Sequence, residues 1–140
     1  MAASCFSAVS FVSASSFQGT CTTCHNSPNV GNHSVAAPLN IGVADASRRT
    51  PDLPLYTLRN TATGEIVQTT DPGRALITGK WADIGKFKGP ILRSLAARAP
   101  YFHNGSAATL ADVVRFYDER FNLQLSEQEK ADLAAFLAAL

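Results

Sequence analysis

An all-α domain with long loops and room for one small β-hairpin is the fold class this sequence predicts. Three observations lead to it. Two amphipathic segments, each opened by a capping signature, close the chain after Thr109. Strict two-residue alternation occurs in only one place, around a glycine-containing turn between residues 55 and 69. Residues 21–54 are rich in Pro, Gly and Asn and carry no period at all, and so long an unpatterned stretch in a compact domain needs a ligand to organise it.

Taken in order, residues 1–18 place Phe6, Val9, Val12 and Phe17 at loosely helical intervals, but the intervening Ser and Val make this a weak helix. The stable domain is expected over residues 19–140. After the loop come LYTLRN and EIVQTT, the arms of the hairpin, then an Asp71-Pro72-Gly73 turn. A short helix is expected over 74–79, and a broken one from Lys86 to Ala97, ending before Pro100. Thr109 with Asp112 opens the first strong helix, along which Leu110, Val113, Val114, Tyr117 and Phe121 form the apolar face. Ser126 with Glu129 opens the second, followed by Leu133, Phe136, Leu137 and Leu140.

Composition sets limits on function. The chain has 140 residues, 46% of them apolar and 16% charged, with a net charge of +1, which fits a globular domain and gives no electrostatic case for nucleic acid. The charge is unevenly spread. No Lys or Arg precedes Arg48, whereas between Arg74 and Arg98 six cations face only Asp83. That run reads either as a solvated face or as a basic rim for anionic groups of a ligand or an acidic partner. No stretch is long enough to cross a membrane. The first 17 residues are apolar and Ser-rich but lack the basic start of an export signal, so a leader is expected to be missing from this chain.

Chemistry enters at Cys21-Thr22-Thr23-Cys24-His25. This is C-x-x-C-H, the attachment pattern of c-type haem. Two thiols at this spacing on a tight turn can add to the two vinyl groups of one porphyrin edge, and the following imidazole then falls beneath the iron. A dithiol redox site would need a βαβ setting that is absent from the pattern. A zinc site would need Cys5, His33 or His103 at finger spacing, which they do not have. Cys5, the third cysteine, is read as a small apolar residue. The sixth iron position is open among His33, His103, Tyr117 and no protein ligand, because Met1 is the only methionine and the usual His/Met pair is excluded.

The stretch Phe87-Lys88-Gly89-Pro90-Ile91-Leu92-Arg93, with Ala99-Pro100-Tyr101-Phe102-His103-Asn104-Gly105-Ser106 and Thr109-Leu110, resembles the second haem domain of bacterial dihaem cytochrome c peroxidases and the related MauG proteins. Asp71-Pro72-Gly73-Arg74 ahead of Thr78-Gly79-Lys80 fits the same pattern, and the resemblance runs from about Gly19 to Leu140. It implies a cytochrome c-like domain with one covalent haem c, acting as the electron-accepting half of such an enzyme. It also implies that the peroxide-reacting haem domain, with its own C-x-x-C-H, has no counterpart within the chain. Ungapped matching from His103 puts Tyr117 where this family has its sixth ligand, which is Met in the peroxidases and Tyr in MauG-like proteins. The resemblance further implies that His103 lies near the haem at the interface between the two domains and that Arg74 and Arg93 pair propionates. The carbonyls of Arg98 and Pro100 would contribute to a calcium site that is incomplete without the other domain. Trp81 is expected to be haem-side packing.

Three functions therefore stand at the level of sequence. The first is electron transfer with a redox partner protein, such as a small cytochrome, or with a second haem domain. The second is peroxide reduction in the chain's own right or with a partner chain, and the third is sensing of a small ligand at an open iron. Haem c attachment outside the cytoplasm makes the bacterial periplasm the expected location. A cytochrome c fold would also pack an N-terminal helix on the C-terminal one, so the weakness of residues 1–18 predicts that Phe136, Leu137 and Leu140 lack that neighbour.

Overall fold

A computed structural model describes His25 and residues 37–140. The weak N-terminal helix, Cys5, Cys21, Cys24 and His33 lie outside the described residues. The chain divides into two compact units, one of residues 36–88 and one combining residues 1–35 with 89–140.

The unit of residues 36–88 is built on the hairpin. β1 (Tyr56–Arg59) and β2 (Ile66–Thr69) pair antiparallel, with Tyr56 opposite Thr69 and Arg59 opposite Ile66. Asn60 shapes the turn: its side-chain oxygen accepts from the backbone N–H groups of Ala62 and Thr63, and Gly64 takes the positive φ that closes it. The core of this unit is small and partly polar. Val43 and Ala44 are buried with Thr69 and Thr70. The Thr69 hydroxyl lies 2.9 Å from the carbonyl oxygens of both Ala44 and Asp71, so the buried donor has an acceptor on either side. A 3-10 turn (Ala46–Arg48) precedes the hairpin, and helix α1 (Ala75–Thr78) follows it, ending at Gly79 in the left-handed conformation.

The expected broken helix from Lys86 to Ala97 forms only its final turn, a 3-10 segment at Leu95–Ala97. Upstream the backbone is committed elsewhere. Lys86 bridges Gly73, and Phe87 exchanges hydrogen bonds of 2.9 and 3.0 Å with Leu39. Pro90 then has no N–H to give a helix.

The described part of the other unit is helical. α2 (Leu110–Phe121) and α3 (Glu127–Ala138) carry the two capping boxes in full: Thr109 and Asp112 on α2, Ser126 and Glu129 on α3. Leu92, Leu95, Tyr101 and Ala107 form the buried cluster, against which Leu110 and Val113 of α2 and Leu137 of α3 pack. Leu140 joins them, and its carbonyl accepts from Ser94 N–H at 2.8 Å, so the chain's end is tied to the loop that the cluster organises. The described residues thus form three helices and one two-stranded antiparallel sheet, a small mixed arrangement: the expected hairpin is present, and the all-α class expected from the sequence is not confirmed.

Candidate haem-attachment site

His25 is half-buried, and its Nδ1 is fully buried without a hydrogen-bond partner. Burial pulls the imidazole's pKa below the ordinary histidine value. The backbone of Pro90 acts in the opposite direction and offsets part of that effect. Pro90 therefore lies beside the ring without giving Nδ1 a hydrogen bond of good geometry. The result is an imidazole that is neutral at pH 7, the form that offers a lone pair to a metal. A buried ring nitrogen left unpaired costs about 1–3 kcal/mol, so the placement of Nδ1 here carries a cost. Pro90 is the partner that residue-by-residue reading of the motif did not single out. The only sequence signal for it is its place in the Gly89-Pro90-Ile91 run.

The segment carrying Pro90 is held in place by Arg98. Its guanidinium donates to the carbonyls of Ile91 at 3.0 Å and Arg93 at 3.1 Å. Arg93 itself is exposed. Tyr101 is buried and its hydroxyl donates to the Leu95 carbonyl at 3.1 Å, which fixes the start of the next turn. Tyr101 and Ala107 bridge each other across that turn, and Phe102 takes a φ of +64° at its tip. A bulky residue rarely adopts this conformation; here its ring is held 4.7 Å from that of Phe116 and 6.2 Å from that of Tyr117. His103, next in sequence, is exposed.

Tyr117 sits on α2 within a run of aromatic rings. It stands edge-on to Phe116 at 5.4 Å and stacks on Phe121 at 5.9 Å. Phe102 and Phe116 are the members of this group that helical periodicity alone did not mark.

Arg74 lies in the other unit, where Asp83 engages it. Its Nε is 3.4 Å from the Asp83 carboxylate, which also receives Lys86 at 3.2 Å and the Thr78 hydroxyl at 2.9 Å. These contacts, the Thr78 hydroxyl first, hold the Asp83 carboxyl below the usual range. The lone acid of the basic run therefore gathers two of its six cations. Trp81 begins the 3-10 turn Trp81–Asp83 and is half-buried. Among the described residues no group of three or more His, Cys, Asp or Glu side chains could hold a metal ion, and no helix is long and apolar enough to cross a membrane.

The chain is homologous to a segment of the bacterial cytochrome-c peroxidases. It is 39% identical over 137 residues to a cytochrome-c peroxidase, IdrP2, of Denitromonas iodatirespirans, a match covering 88% of this chain and 36% of that protein. The IdrP1 peroxidase of the same organism is 35% identical over 143 residues, covering 86% and 36%. A cytochrome c551 peroxidase of Nitrosomonas europaea is 33% identical over 126 residues, covering 89% of this chain and 31% of that protein. The chain spans about a third of the length of these relatives. No protein-family model and no solved structure matches it.

Proposed function

We propose that the chain is a cytochrome c-like domain that binds one haem c covalently through Cys21 and Cys24, with His25 as iron ligand, and that it moves electrons as the accepting half of a peroxidase. The observation that carries this reading is the His25 imidazole: neutral, half-buried, its Nδ1 unpaired beside the Pro90 backbone, and directly after two cysteines at haem-attachment spacing. A ligating histidine ordinarily donates its second ring N–H to an acceptor that fixes its orientation. With a proton on Nδ1 facing Pro90, Nε2 is left as the lone-pair donor. Haem c supplies a one-electron iron centre at such a site.

The remaining residues take roles around that centre. Tyr117 is the proposed sixth ligand, and the rings of Phe102, Phe116 and Phe121 fix the direction its phenol takes. His103 and Arg93 are proposed as polar neighbours of the haem; Arg74 is proposed as a propionate partner only to the extent that it can leave Asp83. The carbonyls of Arg98 and Pro100 are proposed as a partial calcium site. A redox protein or a second haem domain is the proposed electron partner, and the periplasm the proposed location. The names of the relatives favour a second reading, in which peroxide is reduced at this haem itself or with a partner chain.

The test is to mature the chain with haem in a periplasmic expression host and record ferric and ferrous spectra with and without peroxide. Covalent haem that is lost in Cys21→Ala/Cys24→Ala, and a low-spin ferric band that changes in Tyr117→Phe but not on adding peroxide, is the expected result. A high-spin haem consumed or altered by peroxide favours the second reading, and a chain that takes up no haem removes both.

A further inference from the structure

Three asparagines among the described residues fold their side chains back over their own backbone. The Oδ1 of Asn40 accepts from Gly42 N–H at 2.9 Å, that of Asn60 from Ala62 N–H at 3.0 Å and that of Asn104 from Ser106 N–H at 3.1 Å. Such a turn has a chemical consequence. It curls the side-chain carbon Cγ toward the backbone nitrogen of the next residue, and the donated hydrogen bond polarises that carbon and steadies negative charge arriving on its oxygen. The residue that follows decides whether the nitrogen can use this. Ile41 and Thr61 are β-branched, and their side chains crowd the amide. Gly105 has no side chain, and Asn104–Gly105 is the one Asn-Gly pair in the sequence.

The rest of the turn leaves that nitrogen available. Gly105 N–H faces the Phe102 carbonyl at 3.4 Å, a long bond that holds its proton weakly. His103 and Ser106, on either side of the pair, are exposed, so water and hydroxide reach the segment. We propose that Asn104–Gly105 is a site of spontaneous covalent modification in the folded chain, where the Asn104 side-chain amide is converted through a cyclic imide to a carboxylate.

Hydroxide takes the proton from the Gly105 nitrogen as that nitrogen's electron pair bonds to Asn104 Cγ. The Cγ–Nδ2 bond then breaks, and Nδ2 leaves as ammonia with a proton from water. The imide holds both the side-chain and the backbone carbonyl of residue 104 on the Gly105 nitrogen, and water opens it at either one. Cleavage at the side-chain carbonyl leaves an aspartate on the original backbone. Cleavage at the backbone carbonyl leaves an isoaspartate, whose chain runs through Cβ and Cγ. One water is consumed and one ammonia released, with nothing oxidised or reduced. The isoaspartate adds a carbon to a loop that Tyr101 and Ala107 close with bonds of 2.7 and 3.4 Å. At the tip of that loop Phe102 holds its φ of +64° against Phe116 and Tyr117, so the modification acts on the turn packed beside Tyr117.

The full 140-residue chain is to be held in mildly alkaline buffer made with isotopically heavy water oxygen, folded and in parallel unfolded in urea, then mapped by peptide mass spectrometry. The expected outcome is heavy oxygen incorporated at residue 104 of the folded chain, with isoaspartate there revealed by enzymatic methylation, while Asn40 and Asn60 stay amides. Amide exchange at Ala107 quickens in the modified fraction. Asn104→Gln would have to close a larger ring and abolishes the reaction at no change of charge. Thr61→Gly gives Asn60 the surroundings of Asn104 and creates a second site in the hairpin turn, with circular dichroism showing that both variants are folded. Modification of Asn104 confined to the urea sample overturns the proposal, since the turn would then protect its amide. So does an Asn60 that keeps its amide in the folded Thr61→Gly chain, or equal modification of Asn40 and Asn60 in the unaltered one.

Discussion

Single residues show where the backbone allows no choice. Gly73 and Gly79 both have positive φ, 58° and 66°, yet their surroundings differ. A Cβ on Gly73 would meet the Lys86 carbonyl at 2.7 Å, the same carbonyl that accepts from Arg74 N–H, whereas one on Gly79 would meet nothing within 4 Å. Gly79→Ala is expected to cost about 1 kcal/mol, the left-handed penalty alone. Gly73→Ala is expected to cost about 3 kcal/mol, because displacement of the 86–87 backbone adds to that penalty. Urea unfolding of the two variants side by side measures the difference, and equal losses would refute the role given to the Lys86 contact. The Asp71-Pro72-Gly73 turn was legible in the sequence, but the carbonyl that makes Gly73 irreplaceable comes from thirteen residues away in the chain and leaves no local trace. The same holds at His25. The motif singles out the histidine, while the Pro90 backbone beside it comes from a distant segment and is invisible to spacing.

Elements were legible where local chemistry decides them. Both capping boxes and the hairpin follow from side-chain-to-backbone bonding within a few residues, and the structure has them at the expected positions. Of the broken helix expected over 86–97 only the last turn formed, since long-range pairing with Gly73 and Leu39 overrode a weak local preference upstream. Thr109→Ala and Ser126→Ala should each destabilise by about 1 kcal/mol through loss of a cap, as read from denaturant midpoints at unchanged slope. The tie between α2 and α3 depends on pH. Asp118 accepts from Leu125 N–H at 3.0 Å and from Lys130 at 3.0 Å, contacts that hold its pKa below the usual carboxylate range. Asp112 and Glu129, engaged chiefly by the hydroxyls of their own caps, are lowered likewise. A carboxyl depressed on folding adds stability that is complete above its unfolded value, about 4, and is lost as pH falls through the folded value. Stability should therefore drop on acidification below about pH 4, and Asp118→Asn, less stable at pH 7, should show a shallower drop. An acid limb of unchanged steepness in that variant would show that Asp118 is not a source of it.

At the scale of the whole molecule, the two units are made differently. Residues 36–88 form one continuous segment whose ties, from Ala44 to Thr70 and from Leu39 to Phe87, are internal to it. The other unit joins residues 1–35 to residues 89–140, so its first segment must return across all of the intervening chain. Closing so long a loop costs entropy before any contact is gained. A covalently attached group seated on His25, beside Pro90, would hold the two segments of that discontinuous unit together. Binding to the native state alone stabilises what it binds, so the effect of haem should be regional. Comparing the haem-loaded chain with Cys21→Ala/Cys24→Ala by hydrogen exchange should show protection lost across 89–140, including α2 and α3. Exchange in the hairpin and in the amides of Phe87 and Thr70 should change little. Uniform loss over both units would mean that they unfold as one cooperative body. No loss in 89–140 would mean that the Leu92, Leu95, Tyr101 and Ala107 cluster sustains that unit unaided, and that the haem, when present, is a passenger on a core already formed.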